Sequence, residues 1–443
     1  MVRGPPCKLR HLAVRGSNPA MTDATLRRLA DCGATIVTLR VAGHGGVTSV
    51  DPVAATLRKL DARRRCGIGD AGLAGAARSR VLIAARNRGI TTVAPFASSL
   101  RRLRAEDTCG ITDAGLASAT RIESLRASGN PNISSVAPFA GSLRKLWARA
   151  ACGIGDAGLA SATQLEQLSA VNNERISTVA PFASTLRRLA ADGRCGIDDA
   201  GLALAMRVEF LQASENPKIS SVAPFAATLR KLEAHGKCGI NDAGLATACR
   251  LQELYANSNA KITTVAPFAS SLRVLWAHDR SGIDDAGLAN ATRLVSFRAA
   301  GNPRISTVRP FAQSLRHLWA QGSCGIDDAG LAHATQLEDL FADGNPKITT
   351  VAPFASTLRE LEAGDSCGID DAGLALATRL EVLHATNNEK ISSLAPFAAT
   401  LRVLDACGHC GIGDAELARA SRVERVDASG NDKITTVGSH PPP

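Results

Sequence analysis

The chain has 443 residues, a net charge of +10, an ordinary apolar content of 45% and only 3% aromatics. No apolar run approaches the roughly 18 residues that span a bilayer, and the opening MVRGPPCKLRHLAVRG lacks the apolar core of a secretory signal. These features exclude a membrane-spanning helical protein and lead us to expect a soluble, cytoplasmic one; the basic excess raises nucleic acid as a partner but speaks first to solubility.

Residues 1–56 keep a regular pattern only loosely. TDATLRRLADCGATIVTLRV within them predicts a longer amphipathic helix, so the stretch reads as degenerate N-terminal repeats or a cap. From 57 to 437 the chain repeats every 43 residues. Cys-Gly-Ile begins at Cys66, Cys109, Cys152, Cys195, Cys238, Cys324, Cys367 and Cys410, with Ser281 in place of Cys at the remaining register. A fixed period of this size marks a solenoid of about nine units, each burying its apolar face against its neighbours. Such chains bind along an extended surface more often than they catalyse. The last six residues, GSHPPP (438–443), are expected to be a disordered tail. No polar capping unit precedes them, so the C-terminal edge is expected to be covered by a partner or by a second copy, end to end.

Each unit has two halves, for example LRRLRAEDTCGITDAGLASATR (100–121) and IESLRASGNPNISSVAPFAGS (122–142). Both open with an apolar residue, two variable positions, Leu, one variable position and Ala. That spacing predicts a short strand with one buried face. Strands about 21 residues apart need crossovers, and stacking them makes a parallel sheet. Asp113, before Ala-Gly-Leu, is expected as a helix N-cap, and Pro138 as the first residue of the other half's turn. Phe139 and its counterparts (Phe96, Phe182, Phe225, Phe268, Phe311, Phe354, Phe397) should form an apolar spine. Asn130 and its counterparts from Asn87 to Asn431 should bond loop backbone between layers.

The pattern resembles the leucine-rich repeat, Leu-x-x-Leu-x-Leu-x-x-Asn/Cys-x-Leu, over about residues 57–437. Ile111-Thr112-Asp113-Ala114-Gly115-Leu116 is similar to the cysteine-containing subclass; Asn130, Ile133 and Val136-Ala137-Pro138-Phe139 are similar to the bacterial internalin type. The chain departs from the family in placing Ala at the third apolar strand site, which narrows the core, and in placing its Cys one position late. The resemblance implies an α/β solenoid with a curved parallel sheet on a concave side and short helices or 3₁₀ turns on a convex side. It also implies that the variable strand positions line the concave face.

Twelve cysteines invite a chemical reading. Ladder cysteines two strands apart lie about 9.6 Å from each other, too far for a disulfide, which needs roughly 4.4–6.8 Å between Cα atoms. A line of single thiols does not converge as zinc requires. Cys407-Gly408-His409-Cys410 spells Cys-x-x-Cys without a thioredoxin-like context. Buried, reduced spacers are the expected role. The periodic Arg ladder (Arg58 to Arg402) and Asp ladder (Asp70 to Asp414) read as architecture.

Candidate function sits where the units differ from one another. The site between the second Leu and the Ala runs Asp61, Ile83, Arg104, Arg126, Trp147, Ser169, Ala190, Gln212, Glu233, Tyr255, Trp276, Arg298, Trp319, Phe341, Glu362, His384, Asp405, Asp427. All three tryptophans and the only tyrosine fall in this row. Tyr, Trp and Arg dominate binding hot spots, exposed aromatics mark interaction patches, and Arg298 between two tryptophans can hold a cation–π stack. The competing reading is that these side chains pack across strands on each other. We expect a protein partner on Trp147, Tyr255, Trp276, Arg298, Trp319, Phe341 and His384. A basic patch of Lys59, Arg102, Arg104, Arg126, Lys145 and Arg188 marks the N-terminal end of this face, and acidic residues mark its C-terminal end. A partner of opposite polarity would be steered into register, while a polyanion would be repelled at the acidic end. RNA binding through the basic half is therefore the alternative, and a membrane is not expected. We find no Gly-rich phosphate loop, no convergent metal-ligand set and no nucleophile–base pair, so no enzyme, metal or cofactor is expected.

Overall fold

The computed structural model describes residues 8–14 and 19–435; the expected tail at 438–443 lies outside them. The chain forms two compact units, Met1–Ile219 and Ser220–Pro443. Each contains ten described strands of three residues apiece, all parallel to their sequence neighbours within the unit. No described helix is long and apolar enough to cross a membrane.

The expected strands appear where the Leu-x-x-Leu-x-Ala spacing places them, in register. In the second unit Leu254 faces Leu275, Leu275 faces Phe297 and Phe297 faces Leu318. These central residues and the Ala that follows each strand are buried to within about a percent, as are Leu103, Ala105, Leu125 and Ala127 in the first unit. Full burial of each leucine contributes about 1.5–3 kcal/mol. The sheet begins before residue 57, since His11–Ala13 pairs with Thr38–Arg40, and Thr38–Arg40 with Lys59–Asp61. The predicted N-terminal helix spans Asp23–Asp31 and buries Leu26.

Between strands the two halves turn differently. One uses a single helical turn, as in Asp113–Leu116 or Asp285–Leu288; the other a 3₁₀ turn, as in Ala137–Phe139 or Ala266–Phe268. Pro138 sits at the second position of its turn, one later than expected, where its missing N–H is equally harmless. The eight spine phenylalanines are at most 1% exposed. Asn130 donates from Nδ2 to the carbonyls of Ala105 (3.0 Å) and Ile111 (3.2 Å) and accepts at Oδ1 from the Asn132 N–H (3.0 Å). The same three bonds recur at Asn302.

The Asp ladder corrects an expectation. Asp113 is the first helical residue, and the cap is Thr112, whose Oγ1 accepts from Gly115 N–H. In five later units the residue before the ladder Asp caps in the same way, as Asp284 does. Asp113 instead reaches the next turn, accepting from the N–H groups of Ser134 (2.9 Å) and Ser135 (3.1 Å) and from the Ser134 hydroxyl. A carboxylate at the start of a helix serves a cap or a neighbour equally well by sequence; only the stacking of turns decides. That stacking also explains Gly115. A Cβ there would lie 1.9 Å from the Thr91 carbonyl oxygen of the preceding turn, so no larger residue fits.

The eight ladder cysteines are buried, and all eleven described cysteines are free thiols. Burial pushes the Cys109 and Cys324 thiols up to about 11. Ser281, which replaces one of them, is 3% exposed and its hydroxyl has no hydrogen-bond partner.

Candidate partner-binding surface

Period-two alternation turns each strand's middle residue inward and its two flanking residues outward. In the second unit the outward row after the central residue carries Tyr255, Trp276, Arg298, Trp319 and Phe341 on five successive strands, all half-buried. Neither tryptophan is sealed in the interior. The row is one continuous stack. Tyr255 meets Trp276 edge-on at 4.6 Å between ring centroids. The Arg298 guanidinium lies 4.1 Å from the Trp276 ring and 4.3 Å from the Trp319 ring. Trp319 and Phe341 stack face to face at 4.6 Å, 1° from parallel. Lys231 lies over the tyrosine ring, 4.6 Å from its centroid, while paired with Glu233 and Glu253. Cross-strand packing and an outward aromatic surface therefore coexist: the side chains support one another and still present their outer edges.

Arg298 differs from its charged neighbours. Its Nε is buried without a hydrogen-bond partner, and the guanidinium makes no ion pair among the described residues. Burial pulls its pKa below the ordinary arginine value, and the nearest ionisable influence is Tyr255, not a carboxylate. The carboxylates on either side are taken: Glu253 by Lys231, Asp339 by His317.

Further along the row the surface becomes acidic. Glu360 and Glu362 leave the same face of one strand, and His384 stands opposite Glu362 on the next. One ligand atom from each of the three lies within 4.8 Å of the others. Asp405 is 3.5 Å from His384 Nδ1, and Gln321 donates to Glu362 (3.4 Å). Burial pushes the Glu362 carboxyl up to about 7, with Asp343, Glu360 and Asp405 adding to the effect. Glu360 belongs to the outward register before the central residue and Glu362 and His384 to the one after it, so neither register taken separately brings the three together. Glu-x-Glu on one strand followed by His at the same register on the next was the signal. These are the residues with donor types and spacing suited to a divalent cation.

In the first unit, Lys59, Arg102, Arg104, Arg126 and Lys145 line one cleft of about 580 Å³ beside Trp147. Arg126 lies over the Trp147 ring at 4.4 Å. Arg188 is outside that cleft and lines a smaller one with Trp147 and Phe210. Trp147 belongs to the first unit and the Tyr255–Phe341 stack to the second. A third cleft gathers Arg63, Arg64, Arg86 and Arg149 with Arg104 and Arg126. The first four lie in the loops that follow strands, outside the two outward strand registers. The Arg ladder is largely paired with glutamates 22 residues on, as Arg101 with Glu123 and Arg316 with Glu338. Cys407 is pushed up to about 12 by burial and by Asp405 and Asp427, the reverse of what a redox thiol needs.

No protein-family profile matches the chain, and no curated protein matches it. Among solved structures it is similar to a chain of the yeast Rad7–Elc1 complex, at 14% identity and a TM-score of 0.39, covering 68% of this chain and 80% of that one. It is similar to the functional domain of InlJ from Listeria monocytogenes, which includes a cysteine ladder, at 16% identity and 0.37, covering 81% and 76%. It is also similar to a chain of the mouse RP105/MD-1 complex, at 14% and 0.48, covering 88% and 82%. These likenesses are distant, and the fold rests on the geometry above: one parallel strand in each half-repeat, an Asn ladder, a Phe spine and alternating helical and 3₁₀ turns. The chain has the leucine-rich-repeat fold, built from two alternating kinds of half-repeat.

Proposed function

We propose that the chain is a non-enzymatic protein-interaction scaffold whose partner lies on the outward face of the second unit's sheet, anchored on Trp276, Arg298 and Trp319. The observation that carries this reading is the unbroken, half-exposed stack from Tyr255 to Phe341. It occupies an outward row that changes from turn to turn, and its residue types dominate hot spots. Affinity capture from a lysate of the source tests it: the wild type should recover a partner that a W276A/R298A/W319A variant does not. Equal recovery by both defeats the reading. The free, buried thiols fit a reducing, cytoplasmic setting, which imaging of a tagged chain checks. Self-association at the C-terminal edge predicts concentration-dependent mass in light scattering, and a constant monomer mass removes it.

A second reading is RNA binding by the first unit. It is favoured by the convergence of six basic residues, Arg144 among them, on one cleft beside Trp147. It predicts affinity that falls steeply with salt; a flat response excludes it.

A further inference from the structure

The row of the second unit has a charge pattern as well as an apolar one. From Tyr255 onward it reads aromatic, aromatic, cation, aromatic, aromatic, anion, and the cation and the anion both lack what they need. The Arg298 Nε is sealed between two indole rings without an acceptor, and burial lowers its pKa with no carboxylate to restore it. Its two terminal nitrogens have no partner among the described residues either and are open to solvent. An arginine fork between flat walls is pre-organised for a bidentate carboxylate, and the walls keep water from competing. Three strands on, Glu362 shares the Gln321 amide with Asp343 and stands beside Glu360 and the His384–Asp405 pair, and it makes no ion pair among the described residues. That end of the row calls for a positive charge.

Resting on the scaffold reading above, we propose that the docked partner is a polypeptide segment running along this row across the strands. It places an Asp or Glu carboxylate on Arg298 and a Lys or Arg side chain on the Glu360–Glu362 pair. Three strand spacings are roughly 14 Å, which an extended chain covers in about four residues. An apolar side chain between the two charges lies over the stacked Trp319 and Phe341 rings. The two ends fix both register and direction, because reversing the segment sets like charges against each other.

Displayed random peptides selected on the intact chain test this. The recovered sequences should be enriched in an acidic and a basic residue about four positions apart, with an apolar residue between. The best of them, made synthetically, should bind R298Q about thirtyfold or more weakly than wild type. R298E should select a basic residue where the wild type selects an acidic one. E362Q should weaken binding only of peptides that carry the basic residue. Recovery without the charge pair, or equal affinity for R298Q, overturns the proposal. Peptides that lose binding to W276A/W319A yet keep it to R298Q would overturn the charge assignment while leaving the docking surface standing. Peptides indifferent to W276A/W319A, or no binder at all, overturn both. Binding that appears only with added Zn²⁺ would mean that Glu360, Glu362 and His384 hold a metal ion instead of a basic side chain, which also overturns it.

Discussion

The interior ladders and the outward row of the second unit share one backbone frame and obey opposite rules. Asn130 and Asn302 make identical bonds four units apart, because each spans the same three backbone groups. Trp276, Arg298 and Trp319 meet outward side chains, chiefly those of neighbouring strands, and solvent, so nothing in the frame requires any of them. An interior residue answers to the geometry of stacked turns; a row residue answers only to what lies above it. Changes inside should therefore cost stability and leave binding to the folded fraction alone. Changes in the row should do the reverse.

The largest expected effect is inside. Phe354→Ala leaves a cavity beneath a fully buried ring and should cost about 3–5 kcal/mol, read as a lower denaturation midpoint. Partner affinity of the folded protein should be unchanged; a variant that folds well and binds poorly would break the comparison. Next is the W276A/R298A/W319A variant, which should keep its strands by circular dichroism and lose more than about 2 kcal/mol of binding. A collapse of the fold would show the stack to be structural. Ser281→Cys restores a thiol where a hydroxyl is buried without a partner and should stabilise by about 1 kcal/mol; a loss of stability would mean the hydroxyl is satisfied in solution.

The smallest effect sharpens the acidic end. The fold raises the Glu362 carboxyl from 4.5 to about 7, so the folded state binds the proton more tightly than the unfolded state does. The contribution to stability is full below 4.5 and is lost as pH rises through about 7. Glu362→Gln should remove that fall and make the protein slightly more stable at alkaline pH. An unchanged pH profile would mean the carboxyl is fully solvated.

Much of this division was legible in the residues. A 43-residue period with Leu, Ala, Phe and Asn at fixed places states which side chains lie inside, and strand alternation then states which lie outside. The aromatic row followed from reading one register along the chain. What could not be read was lateral. Asp113 looks like a cap because the bond it makes, to Ser134 and Ser135, lies in the next turn. Glu360, Glu362 and His384 meet only once two outward registers are superposed. Arg63, Arg64, Arg86 and Arg149, which join Arg104 and Arg126 near Trp147, come from loops whose direction no spacing reveals. Whether the aromatics pack together or face a partner was posed by sequence as a choice. At half burial, a stack does both.

The most direct measurement concerns Arg298 alone. Arg298→Met keeps an apolar filler between the two indoles and removes a cation whose Nε is sealed without a partner. Two cation–π contacts of about 0.5–1 kcal/mol each are lost, and an unsatisfied buried donor costing about 1–3 kcal/mol is relieved. Denaturation and partner binding, measured side by side on this variant, should show stability within about 1 kcal/mol of wild type or above it, and binding weakened tenfold or more, roughly 1.4 kcal/mol. Stability falling like that of an interior variant, with binding intact, would contradict the account.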